Sequence, residues 1–405
     1  VHSVRWNLIA VAAAVIIAVG AVSILPEALG PDSDEVRSAS NSTVRTQPAP
    51  TPTPTAPADP TTTALPPRQG PLAADLTLRK RRTIGGDISP KSVVASGHGV
   101  VTAQNMMYTH TVTAYDAEGE LVATVPDDVV LTDFGIDRPG RFRGAPVEAA
   151  FTSDGSHVYV SNYAMYGPGF FEGSDECTPQ SGVPASFLYR IDTGTWRIDQ
   201  VVPVGATPKY VAVTPDDERV LTTNWCSWDL TVSSTEDGRR LAAVDIGRYP
   251  RGIAVAPDGS AAYVAVMGDT RVARVDLSNY SVSWIDGVGL GPRHVVLSPD
   301  GRFLYSSNNK GGTVSKIDLT TGAKVAEVRT GSQPRTMDIS TDGTALYVVN
   351  YGSGTMTKLA ADDLRLLQEV PTGANPIGIT YDDATGRVWV ANYSGTIDVY
   401  DEVPA

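Results

Sequence analysis

The sequence predicts an all-β seven-bladed β-propeller, from a fixed repeat length, a recurring turn chemistry and one strand left over before the repeats begin. In the segment Gly-x-x-Pro the glycines fall at Gly205, Gly247, Gly289, Gly331 and Gly373, with prolines at Pro208, Pro250, Pro292, Pro334 and Pro376. Every step is 42 residues. Two further units, stretched by insertions, start at Pro90 and Pro146. Four short strands in about 40–45 residues is the period of a propeller blade.

Each element of the repeat has a local cause. The Gly/Pro loop breaks the strand pattern, and the proline starts an apolar run. Asp154-Gly155, Asp258-Gly259, Asp300-Gly301 and Asp342-Gly343 then supply tight hairpin turns. Second runs follow as "YVSN", "YSSN", "YVVN" and "WVAN". In the fifth unit the four strands read Arg293–Leu297, Phe303–Ser307, Thr313–Asp318 and Ala323–Val328. The last unit holds only Ile377–Tyr381, Arg387–Ala391 and Thr396–Tyr400, whereas Leu76–Ile84 precedes Pro90 with no blade of its own. The N-terminal strand is therefore expected to complete the C-terminal blade and close the ring, leaving only short, protected sheet edges.

The propeller is assigned to residues 73–405. Ahead of it, Leu8–Leu25 carries no charge over 18 positions, the length of a membrane-spanning helix. Arg5 precedes this segment and Glu27, Asp32, Asp34 and Glu35 follow it, which places residues 1–7 in the cytoplasm and the propeller outside. A cleaved signal peptide ending near Ala18-Val19-Gly20 is the alternative, giving a secreted protein. Residues 26–72 form a linker in which Gln47–Pro67 packs eight prolines and six threonines into 21 positions, an extended spacer unable to bury a core.

Lys and Arg total 32 against 45 Asp and Glu, a net charge of −13 that argues against nucleic-acid binding. The two cysteines, Cys177 and Cys226, are expected to form a disulfide in an exported chain. The five histidines show no ligand spacing, so neither a metal site nor a cofactor is expected.

The second-strand endings resemble those of the YVTN-repeat propellers of exported bacterial proteins, over about Leu76–Ala405. That resemblance implies a seven-bladed ring of the cell envelope. The stretch "GPRHVVLSPDGRFLYSSN" (Gly291–Asn308) also resembles the lactonase-type propellers, in which Pro-Arg-His precedes a second strand ending Asn-Glu. Pro292, Arg293 and His294 match that pattern, whereas Asn308 is followed by Asn309. That second resemblance implies the alternative function, a hydrolase or lyase acting on a sugar lactone or related acid, with Arg293 and His294 as the catalytic candidates.

The loops between blades and those after the second strands are expected to share one face. The residue after each blade's proline is Lys91, Val147, Lys209, Arg251, Arg293, Arg335 or Ile377, five of them basic. Around a central mouth these cations would focus a positive potential suited to a carboxylate or phosphate. Alternatively each pairs with an acidic neighbour from the next blade. Asn162, Asn224, Asn308, Asn350 and Asn392, with Asn105, end the second strands and are further ligand-binding candidates, although Asn also folds back onto turns. The insertion after Asn162 holds Cys177 and reads either as a lid over the mouth or as a braced surface loop. The reading is a monomeric, non-catalytic module binding a small anion, or an envelope protein or polymer.

Overall fold

The computed structural model describes residues 70–404. The expected membrane segment Leu8–Leu25 and linker residues 26–69 lie outside the described residues. Among the described residues no helix is long and apolar enough to cross a membrane.

Seven antiparallel sheets form a seven-bladed propeller. Their innermost strands are Pro90–Ala95, Arg141–Phe151, Pro208–Val213, Pro250–Val255, Pro292–Leu297, Pro334–Ile339 and Pro376–Asp382. Each inner strand packs against the inner strands on both sides, so the ring is continuous. Apolar residues of adjoining blades form a core at every interface. Between blades 5 and 6, for example, Tyr305 and Val314 meet Met337, Leu346, Val348 and Leu359. Polar residues gather on the outer strands, where one face meets water; the fourth strand of blade 5, Ala323–Arg329, is mostly exposed.

Closure occurs in blade 7. Leu76–Ile84 pairs antiparallel with Thr396–Pro404, from Leu76 opposite Pro404 to Ile84 opposite Ile397. A buried lysine on blade 6 fastens this strand. Lys358 Nζ donates to Ala73 O at 2.6 Å, to Leu76 O at 2.7 Å and to Glu402 Oε1 at 2.7 Å. The Tyr347 hydroxyl donates to the same Glu402 oxygen at 2.5 Å. Lys358 thus ties both chain ends of the closing blade to its neighbour.

Blade 2 departs from the repeat. Its inner strand begins at Arg141, five residues before Pro146, and pairs there with an extra short strand, Asp128–Val130. Val129, Leu131 and Phe142 pack with Met165, Phe187 and Tyr189 in a small core of their own.

The repeated Gly and Asn are two halves of one contact. A Cβ built on Gly205, Gly331 or Gly373 would lie 2.6 Å from the Cγ of Asn224, Asn350 or Asn392, and one on Gly289 would lie 2.2 Å from Asn308 Cγ. The asparagine fills the space that the glycine leaves. Its amide then donates across the blade, Asn308 to Thr313 and Ser315, Asn350 to Thr355 and Thr357. Blade 4 has Val266 in place of Asn, and Gly247 there serves another need, a φ of 83°.

Candidate functional site: the central channel

The strand pairing sets the geometry of the channel. Each proline lies opposite the end of its blade's second strand, as Pro292 does opposite Asn308. The inter-blade loops and the loops after the second strands therefore share one face, and the Asp-Gly turns lie on the other. Those turns are closed by their own aspartates: Asp300 accepts from the Ser298 hydroxyl at 2.5 Å and from the Arg302 amide at 3.1 Å.

The residues after the prolines converge in a hub. Lys91, Lys209, Arg251 and Arg293 are all buried. Burial first, then the charges of Arg251, Arg293, Arg335 and Lys209, drive the Lys91 ammonium well below its ordinary pKa. Burial and the Arg335 charge lower Arg251 to about 10. Arg293 is lowered by burial and by Arg251 and Arg335. These cations feel one another because few anions stand among them.

The expected alternative is a carboxylate from the next blade for each cation; the ion pair formed in the hub joins a cation to the preceding blade instead. Lys209 Nζ lies 3.4 Å from Asp175 of the insertion. The other four face π-systems or sulfur, mostly from the preceding blade. Lys91 lies 5.9 Å from the Tyr393 ring, Arg251 5.6 Å from Trp225 and Arg293 Nη1 3.9 Å from Met267 Sδ. Arg335 stacks on Tyr351 of its own blade at 3.7 Å, and Lys209 lies 4.1 Å from Tyr163. Aromatic faces attract cations without neutralising them.

The asparagines do not join this hub. Asn162, Asn224, Asn308, Asn350 and Asn392 are fully buried. The Asn224 amide bonds Asp229 and Thr231, that of Asn392 bonds Thr396 and Asp398, and that of Asn162 bonds Phe187 O. They pack against the repeat glycines, and the Oδ1 atoms of Asn162, Asn224, Asn350 and Asn392 have no hydrogen-bond partner among the described residues.

The disulfide between Cys177 and Cys226 is present, with Cα atoms 5.2 Å apart. It holds the blade 2 insertion against blade 3, where Trp225 Nε1 donates to Asp175 O at 2.9 Å. The Asp175 carboxylate, held below its ordinary pKa chiefly by Lys209, thus overhangs the hub. The bridge spans 49 residues of sequence, worth about 4 kcal/mol of denatured-state entropy in the chain-entropy treatment. A Cys177→Ser, Cys226→Ser variant should therefore lose roughly 2–4 kcal/mol in denaturant titration. A loss under 0.5 kcal/mol would mean the insertion is held by its other contacts alone.

One layer further in lies a set of residues that the spacing analysis passed over. They occupy the second position after each proline: Ser92, Glu148, Tyr210, Gly252, His294, Thr336 and Gly378. All but Gly252, with Asp338 and Thr380, line a cavity of about 380 Å³ that extends to Pro257 and Pro299 beside the Asp-Gly turns. The roomy end of the channel is thus on the turn face, whereas sequence pointed to the loop face. The signal was available, since these residues follow the basic positions by a single step.

His294 sits where Gly252 leaves room; a Cβ there would lie 2.8 Å from His294 Cδ2. Its Nδ1 accepts from the Met337 amide at 3.4 Å, which leaves the proton on Nε2, 2.7 Å from the Tyr210 hydroxyl. The Tyr210 O–H then points its own hydrogen into the channel. Burial, with Arg293 and Arg251, lowers His294 to about 3, so it is neutral at physiological pH. Burial raises Glu148 to about 7 against the pull of Lys91, Arg251 and Arg293, and raises Asp338 to about 7. Both carboxyl groups act on Tyr210 rather than on His294. Among the described residues neither ring nitrogen of His294 is bonded to a carboxylate; they meet the Tyr210 hydroxyl and the Met337 amide.

A family model described as the cytochrome D1 heme domain matches residues 262–394, about a third of the chain. Among solved structures, hydrazine synthase of Kuenenia stuttgartiensis is similar at a TM-score of 0.62 and 19% identity. The match covers 78% of this chain and 96% of that one, and it shows the propeller fold. No curated protein matches the sequence.

The family match raises haem as a possible ligand of the channel. Haem iron takes its axial ligands from His, Cys, Met or Tyr side chains. Both nitrogens of His294, the histidine lining the channel cavity, are engaged by Tyr210 and Met337. Both cysteines are bonded to each other. Among the described residues no cluster of three or more His, Cys, Asp or Glu is arranged to hold a metal ion. The channel histidine and the two cysteines are therefore already engaged within the protein.

Proposed function

We propose that this propeller is a non-catalytic binding module of the cell envelope that takes a small anion, a carboxylate, sulfate or phosphate, in its central channel. One observation carries the reading. Five cations meet two carboxylates, Glu148 and Asp175, an excess of three (5 − 2) when all are ionised, and four of the five are buried. Buried charge without a partner is costly and marks a place where a partner is expected. The adjoining cavity supplies the space, and Tyr210 and Ser92 supply hydroxyl groups. The disulfide agrees with an oxidising compartment, as the Leu8–Leu25 segment suggests. The acidic surface disfavours nucleic acid.

The test is thermal unfolding of the full chain with sulfate, oxalate, succinate and inorganic phosphate, beside Arg251→Gln and Arg293→Gln. A ligand at a hundred times its Kd stabilises the folded state by about 2.7 kcal/mol. The expected result is stabilisation of the unmodified chain by at least one anion and its loss in both variants. No shift with any anion, or a shift that both variants keep, overturns the proposal.

A further inference from the structure

The channel contains one acid at the level where the basic hub meets the cavity, and its position gives it a role beyond structure. Glu148 is buried, on the long inner strand of blade 2. Its backbone amide is used, donating to Ser161 Oγ at 3.3 Å. The side chain has only the Ser92 hydroxyl as a neighbouring donor, and that hydroxyl is already 2.8 Å from Val147 O and 2.5 Å from Gln104 Oε1.

The groups facing Glu148 come from four neighbouring blades. Blade 1 presents Lys91 and Ser92; blade 4 presents Arg251; blade 5 presents Arg293. Blade 3 presents Tyr210, which also feels Asp338 of blade 6. His294 stands behind Tyr210, and Asp175 acts on Arg251 and Arg293 from the loop side. Apart from Tyr210, every titratable group acting directly on Glu148 is a cation. An ionised Glu148 therefore attracts the same three cations that an incoming anion would use, and it repels that anion.

We infer that Glu148 is the specificity-determining residue of the channel. As a carboxylate it serves as the hub's own anion and excludes others; as a carboxylic acid it frees the cations and donates a hydrogen bond to the anion that replaces its charge. Each anion then enters with one proton, taken up by Glu148. The balance is closed: a monoanion and a proton arrive together, and the net charge of the channel does not change. The burial that raises Glu148 to about 7 places this exchange in the neutral range. With the folded-state value raised, the acid form dominates below about pH 7 and the carboxylate above it, so affinity falls as pH rises through that value.

This inference rests on the anion-binding reading, and the experiment separates the two. Sulfate and acetate, which stay ionised from pH 6 to 8.5, are titrated calorimetrically into the full chain in two cationic buffers of different ionisation heat. Binding is expected to take up close to one proton per anion at pH 8, and to weaken about tenfold per pH unit above 7. Glu148→Gln, which keeps a donor and removes the charge, is expected to bind with no proton uptake, with flat pH dependence, and about tenfold more tightly than the unmodified chain at pH 8. If neither anion binds, both readings fail. If they bind without proton uptake and with unchanged affinity across this range, the anion site stands and the role of Glu148 is overturned. Equal proton uptake by Glu148→Gln would also overturn it. Should that variant not fold, Asp338→Asn decides: it is expected to keep the proton uptake, and its loss there would overturn the role of Glu148.

Discussion

Replacing Lys358 by methionine should lower the unfolding free energy by about 3–5 kcal/mol, the cost of removing one partner from a buried ion pair. Lys358 and Glu402 side chains are 0% and 1% exposed. The substitution removes the cation beside buried Glu402 and deprives the carbonyls of Ala73 and Leu76 of their lysine donor. It strikes where the ring closes, the one blade built from both ends of the chain. The melting temperature should fall by roughly 4–7 °C for a domain of this size. Guanidinium titration measures the change. Adding Glu402→Gln to the same chain should recover part of the loss, because it removes the acid of the broken pair while keeping an acceptor for Tyr347. A loss below 1 kcal/mol would show that strand pairing alone secures the closure.

Gly289→Ala should cost about 3–5 kcal/mol, as overpacking and lost hydrogen bonds combine. The new methyl would fall 2.2 Å from Asn308 Cγ and Nδ2. Asn308 is fully buried and bonded to Thr313 and Ser315, so it yields only by breaking those bonds. Truncating the obstruction with Asn308→Ala in the same chain should restore much of the stability lost to the clash. A double variant no more stable than Gly289→Ala would sink the interlock. Gly247→Ala should behave differently, costing about 1–2 kcal/mol for the left-handed backbone alone and gaining nothing from truncation of Val266.

Much of the fold was legible because a propeller repeats its local rules. Proline, Asp-Gly turns and alternating apolar residues recur every 42 positions, so the strands of blade 5 fall within a residue or two of their expected bounds. Blade 2 escaped because its extra strand, Asp128–Val130, answers to a private core and to no repeat. The site was legible in its charges and not in its partners. The basic positions stand out in an acidic chain, whereas Glu148, Tyr210 and Asp338 each occur once at their register and look ordinary in sequence. The asparagines are the opposite case. They recur conspicuously, yet what they contact is a glycine, and an empty space leaves no mark in a sequence.

The stacking of hub cations on the preceding blade has a consequence for how such a ring can be rebuilt. Trp225 with Arg251, and Met267 with Arg293, are each contributed by two consecutive blades but by one unbroken stretch of chain. The exchangeable module is therefore offset from the visible one: it starts after one second strand and ends just inside the next inner strand. A graft cut at the blade boundary would separate every such cation from its platform, whereas one cut after the asparagines would carry both. Lys91 and Tyr393 are the exception, joined only by closure of the circle. A circular permutant opened between Asn308 and Thr313 would make that pair contiguous too, and would move the seam of the ring to blade 5.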